Sequence, residues 1–171
     1  MRCAVCGERP SHDDVTPICR PCLDHAGAAL SGRHHHRTPV VLPDGTTVTA
    51  VSYDASEPYG RDAAPDFGLY LDERWDPPWP HGHLAWPDFG LPADRAGATA
   101  AFLDLLARAR RGEAVEIGCL GGHGRTGTAV ACLAVLSGAP ADGAVAWVRD
   151  VYCAHAVETA DQAAFVAAFS P

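Results

Sequence analysis

The tightest constraint in this chain lies at residues 114–137. Ala114-Val115-Glu116-Ile117-Gly118-Cys119 is a short run of strand-forming and apolar residues. Five residues follow, three of them glycine (Leu120-Gly121-Gly122-His123-Gly124), and Arg125-Thr126-Gly127 then opens an apolar stretch that Gly138 and Pro140 close. A buried strand must therefore pass into a buried helix through a loop with almost no side chains of its own. Glycines let successive backbone N–H groups curl inward into a concave nest. The helix N-terminus adds its positive end, and Arg125 supplies a planar, two-pronged donor for phosphate oxygens. Residues 120–125 thus form a candidate cradle for a tetrahedral dianion, made by Leu120, Gly121, Gly122, His123, Gly124 and Arg125, with the Cys119 sulfur at its base. The same positive surroundings favour a thiolate, the nucleophilic form of cysteine.

This segment resembles the C-x5-R phosphate loop of protein tyrosine phosphatases, in its G-x-G-R-T-G form. Trp86-Pro87-Asp88-Phe89-Gly90-Leu91-Pro92, 31 residues before Cys119, resembles the W-P-D loop of the same family. Phosphate-ester hydrolysis needs such a carboxylic acid, because an alkoxide or phenoxide leaves poorly without a proton. Val157-Glu158-Thr159-Ala160-Asp161-Gln162 resembles the I/V-E-T-x-x-Q segment of small dual-specificity phosphatases, in which the glutamine helps place the hydrolytic water. Thr159 and Gln162 also read as a T-x-x-Q capping box for the last helix, and both readings stand.

The resemblance covers residues 38–169 and implies an α/β fold, a phosphatase-like sheet covered by helices. It implies hydrolysis of phosphomonoesters through a cysteinyl-phosphate, on phosphotyrosine or phosphoprotein substrates, with small phosphorylated molecules as further candidates and no cofactor for catalysis. Cys119 would be the nucleophile, and Arg125 would hold the phosphoryl oxygens. Asp88 would be the general acid and then the base, Thr126 would ease departure of the thiolate, and Gln162 would place water. A competing expectation is a pseudophosphatase adaptor that binds phosphorylated ligands. Sulfur transfer or arsenate reduction would share the cysteine loop but would not need Trp86-Pro87-Asp88. The chain departs from the family at Gly118, where a histidine that organises the loop is usual, and at Tyr152-Cys153-Ala154-His155, where Arg-Pro-Gly is usual. His123 is unusual in the loop and is expected to face solvent.

Elsewhere, Pro43-Asp44-Gly45-Thr46 between Val40-Val41-Leu42 and residues 48–53 predicts a hairpin. Residues 67–71 predict a strand, while residues 54–66 and 72–83, rich in Pro, Gly and Asp, predict loops. Residues 93–111 predict a helix with Phe102, Leu103, Leu106 and Ala107 on its apolar face and Gly112 as its stop. Helices are also expected over 126–137, 141–152 and 160–169. Strands early and helices late favour a sheet covered by helices.

Four of the seven cysteines stand in the first 22 residues, as Cys3-x2-Cys6 and Cys19-x2-Cys22 separated by 12 residues. Each pair turns tightly enough to place two thiolates on one tetrahedral ion. Residues 1–25 therefore read as a zinc-ribbon-like module folded by structural Zn2+, a candidate surface for a protein partner. His12 and His25 are expected at its surface, residues 26–38, with His34-His35-His36, as a solvated linker, and 39–171 as the catalytic domain. Cys132 and Cys153 are expected to be buried and structural. All 13 basic residues are arginine, and the net charge is −8. Residues 38–171 carry eight arginines against seventeen acids, which argues against a broad nucleic-acid or anionic-membrane footprint. No run of 18 apolar residues occurs and no secretory leader is recognisable, so the chain is expected in the reducing cytoplasm. Replacing Cys3 and Cys6 by Ser should remove one equivalent of tightly held zinc per chain, read by metal analysis of the pure protein; an unchanged zinc content would contradict the module.

Overall fold

A computed structural model describes residues 36–54 and 57–170. The four-cysteine module, with Cys3, Cys6, Cys19 and Cys22, lies outside the described residues, as do His12, His25, His34 and His35. The strands are β1 (Arg37–Val41), β2 (Thr47–Ser52), β3 (Phe67–Tyr70), β4 (His81–His83) and β5 (Val115–Cys119). The helices are α1 (Arg95–Arg110), α2 (Gly124–Leu136), α3 (Ala144–Val151) and α4 (Ala160–Ala167). The five strands form one sheet in the order β1-β2-β5-β3-β4, with β1 antiparallel to β2 and the other neighbours parallel.

The Asp44-Gly45 hairpin forms as the sequence predicts, Gly45 adopting φ 86°. β1 begins at Arg37, inside the stretch assigned to the linker. β4 is a strand within residues 72–83, which the sequence reads as loop. Its three residues, His81-Gly82-His83, carry no β-branched side chain and pair only along β3 at the sheet edge, so propensity gives no sign of it. α1 starts at an Asp94 cap whose carboxylate accepts from the Gly97 amide at 3.0 Å. Its buried residues are Ala98, Phe102, Leu105 and Leu106, whereas Leu103 is 46% exposed. The spacing i, i+4, i+7, i+8 thus sets the inner face, and Leu103 lies off it. Gly112, with φ 88°, ends the helix.

Central strand β5 is buried along its whole length, and α2 packs against it and against α1, α3 and α4. Successive side chains of a strand face opposite ways. Ala50, Leu69 and Ile117 therefore join the main helix-covered core, while Val51 and Tyr70 turn to a second, aromatic cluster with Trp75 and Trp79. The connections read as loops thus roof the second face of the sheet. Under that roof Glu116 is buried, yet it pairs with Arg61 at 3.1 Å and accepts from the Tyr70 hydroxyl at 2.6 Å. Trp79 Nε1 donates to the same hydroxyl at 2.7 Å. A buried carboxylate is tolerable only with such partners.

Gly118 belongs to this face. A Cβ there would lie 2.5 Å from Val51 Cγ2 and from the Val51 carbonyl, and 3.1 Å from Trp75 Cη2. The room that a side chain would need ahead of Cys119 is filled by Val51 first and by the Trp75 ring beyond it. Gly118→Ala should therefore destabilise the fold by about 1–3 kcal/mol, the usual cost of overpacking a tight interior. Denaturant unfolding checks this, and an unchanged midpoint would show that the Val51–Trp75 contact gives way freely.

Candidate active site

Cys119 ends β5 with its side chain 3% exposed, and its sulfur accepts a hydrogen bond from the Thr126 hydroxyl at 3.0 Å. The loop carbonyls of Cys119 and Leu120 are held from outside by the Tyr53 amide, at 3.2 and 3.1 Å. Gly122 adopts φ 71°, and a Cβ there would meet His36 Cδ2 and Ser52 Cβ, each at 2.9 Å. Glycine is required at that position on both counts. α2 begins at Gly124, two residues earlier than the sequence suggests, so the loop runs directly into a helix N-terminus.

Arg125 is buried, and its guanidinium is fixed on two sides. Nη1 donates to the carbonyls of Leu71 (2.8 Å) and Trp86 (3.2 Å), while Nη2 lies 3.3 Å from both Asp72 and Asp88. Nε is buried and has no hydrogen-bond partner among the described residues. Asp72 is itself clamped by Arg74, with Arg125 as a further positive neighbour, which holds its carboxyl down to about 2. The guanidinium therefore always faces a carboxylate at Asp72, which fixes its plane.

The Asp88 side chain is 58% exposed. Its loop is tied from below at one atom, the Gly90 carbonyl, which accepts from Trp86 Nε1 at 2.8 Å and from Gln162 Nε2 at 3.3 Å. Gln162 is fully buried, and its Oε1 caps α4 through the Glu158 and Thr159 amides while Thr159 returns the bond to the Gln162 amide. The capping box is thus present, and the glutamine's amide group is turned to the Asp88 loop. Asp88, Arg125 and Asp72 border an open cleft of about 430 Å3, walled by Glu73 and Arg74 on one side and Trp86 and Pro87 on the other.

Three features escape the sequence reading. Asp72, in a predicted loop, turns out to orient Arg125. Glu158 is largely buried and interacts with the Gly124 amide; burial first, then the nearby Asp88 charge, pushes its carboxyl up to about 7. Among the described residues, the non-glycine residues with positive φ are Phe89 (57°) and Val157 (62°), which directly follow Asp88 and directly precede Glu158. Such backbone is costly, for a β-branched residue above all, and here it adjoins Asp88 and Glu158. His123 corrects an expectation: it is 3% exposed rather than facing solvent, and its Nε2 lies 3.2 Å from Nε2 of His36. His36 is likewise buried and is no part of a solvated linker. Cys132 and Cys153 are buried as expected, and burial pushes the Cys132 thiol up.

Residues 76–166 match the model of the family described as PTP-SAK, the Swiss Army Knife protein, DSP-PTPase phosphatase domain. The chain belongs to this family. Its solved relatives have the same architecture. Tk-PTP in its active form is 28% identical with a TM-score of 0.51, covering 57% of this chain and 73% of that one. Kinase associated phosphatase, 16% identical, superposes with a TM-score of 0.62 over 78% of this chain and 91% of its own, a likeness of fold. Two uncharacterised proteins of Methanocaldococcus jannaschii are 47% identical over 55 residues and 48% identical over 52 residues. These matches take in 32% and 30% of this chain and span about a third of each relative, 36% and 31%. Among the described residues, no helix is long and apolar enough to cross a membrane.

The raised carboxyl of Glu158 has a consequence for stability. A group protonated more readily when folded than when unfolded adds stability below its unfolded value, near 4.5 here, and that contribution is lost as pH rises through about 7. Wild type should lose about 1–3 kcal/mol relative to Glu158→Gln across that window, allowing for water screening of a partly exposed group. Chemical denaturation at pH 4.5 and 7.5 measures the difference; parallel pH profiles would show that Glu158 ionises freely.

Proposed function

We propose that this phosphatase-family chain hydrolyses phosphomonoesters through a cysteinyl-phosphate on Cys119, with phosphotyrosine or other phosphoprotein side chains as substrates. The observation that carries the reading is the Arg125 guanidinium. It is buried and oriented by Asp72, its residue borders the cleft together with Asp72 and Asp88, and its Nε is buried with no hydrogen-bond partner among the described residues. A buried N–H left unsatisfied is costly, and a phosphoryl oxygen on Nε would remove that cost.

The chemistry follows from the residues. Bound phosphate takes the amides of the loop after Cys119, apart from the Gly124 amide that Glu158 engages, and the guanidinium of Arg125. The Cys119 sulfur attacks phosphorus as the P–O bond to the leaving group breaks, and Asp88 gives that oxygen its proton. The Asp88 carboxylate then takes a proton from water, the water oxygen attacks phosphorus, and the P–S bond breaks to release inorganic phosphate. The Thr126 hydroxyl, 3.0 Å from the sulfur, supports the departing thiolate. Gln162 is a candidate for placing that water, and its bond to the Gly90 carbonyl also lets it hold the Asp88 loop in register. The zinc module of residues 1–25 is proposed to recruit a protein partner.

The adaptor reading had its support in Gly118. Packing against Trp75 accounts for that glycine, so it carries no weight against catalysis. Cys119→Ser should abolish turnover of an aryl phosphate while leaving vanadate binding largely intact; activity within tenfold of wild type would sink the covalent mechanism. A wild-type chain that binds vanadate yet turns nothing over would favour the adaptor. Asp88→Asn should slow esters with poor leaving groups by about 10²–10⁴-fold and activated esters much less. Equal losses along a leaving-group series would remove Asp88 as the acid.

A further inference from the structure

Behind the phosphate loop, three potential metal ligands converge from separate parts of the chain. His36 immediately precedes β1, His123 is the N-cap residue of α2, and Cys153 stands between α3 and α4. All three are buried, and one ring nitrogen of each histidine and Cys153 Sγ lie within 4.8 Å of one another. The Nε2 atoms of His36 and His123 are hydrogen-bonded to each other at 3.2 Å, so zinc would replace the shared proton. Two nitrogens on a tetrahedral zinc, each about 2.0–2.1 Å from the ion, stand roughly 3.3 Å apart, and a nitrogen and a thiolate sulfur roughly 3.6 Å. The nitrogens are thus already at ligand spacing. A modest inward movement of the sulfur completes a His2Cys face.

We propose that His36, His123 and Cys153 bind a zinc ion that clamps the rear of the phosphate loop. Imidazole together with thiolate is a donor set suited to zinc. Main-chain bonds hold the backbone of the two histidines. The His36 amide donates to Ser52 Oγ at 2.7 Å, and its carbonyl accepts from the Ser52 amide at 2.9 Å. The His123 carbonyl accepts from Gly127 at 2.8 Å. The His36 ring also abuts Gly122, where a Cβ would come within 2.9 Å of it. An ion there would tie the chain entering β1 to the loop after Cys119. The fourth position falls to water or to His155, whose ring centroid is 6.2 Å from that of His123.

Zinc content of the purified full chain tests the site. Cys153→Ser and His36→Gln, each shown to be folded by circular dichroism, should each lose one equivalent of zinc relative to wild type. Zinc added to the chelator-stripped chain should raise the melting temperature of wild type more than that of either variant. Folded variants that keep the wild-type zinc content and the wild-type thermal response would overturn the proposal. Should neither variant fold, zinc X-ray absorption of the chain carrying Cys3→Ser and Cys6→Ser decides. Imidazole scattering from bound zinc supports the site; its absence, or no bound zinc, overturns it.

Discussion

The contact on which the rest of the site depends is the buried pairing of Arg125 with Asp72. A guanidinium withdrawn from water is unstable unless its donors are met. Here the Leu71 and Trp86 carbonyls and two carboxylates meet them on two sides, leaving the buried Nε without a partner among the described residues. Each partner comes from a different element: Leu71 and Asp72 follow β3, Trp86 and Asp88 follow β4, and Arg125 opens α2. The parallel sheet is what makes this convergence possible, because β3, β4 and β5 all end on the same side. Binding and catalytic groups of α/β folds gather at that carboxyl edge of the strands.

The local motifs were legible because they are contiguous. Cys119 through Gly127 encodes strand end, nest and helix start within nine residues, and glycine there has few other uses. The Thr159–Gln162 cap is similarly local, and it forms as its spacing indicates. What the sequence withheld was long-range. Asp72 lies 53 residues from Arg125, and nothing in its own neighbourhood marks it as a partner. His36 and His123 are separated by 87 residues, and a histidine run beside arginines looks like solvated chain until the fold closes over it. β4 was missed for a related reason: its pairing with β3, and not its residues, makes it a strand.

Gly118 shows how a departure from a family pattern can mislead when only the sequence is in view. Alone, it suggests a weakened nucleophile loop. In the fold it is the counterpart of Trp75, which roofs the second face of the sheet together with Tyr70 and Trp79. Small-for-large exchange between neighbours keeps the interior filled. The loop's support is then redistributed to the Tyr53 amide, the Tyr152 hydroxyl on the Gly122 carbonyl, and the buried His36–His123 contact.

The central claim is that phosphorus passes through the Cys119 sulfur. Rapid acid quench of the Asp88→Asn protein during turnover of an activated aryl phosphate, followed by peptide mass spectrometry, tests it directly. Asp88 is assigned as base in the second step, so the covalent species should accumulate in that variant. The account predicts one phosphoryl group on the peptide carrying Cys119, appearing before the steady state and absent when Cys119 is also replaced by Ser. Phosphate release with no phosphorylated Cys119 at any time, or a phosphoryl group on another residue, would contradict it.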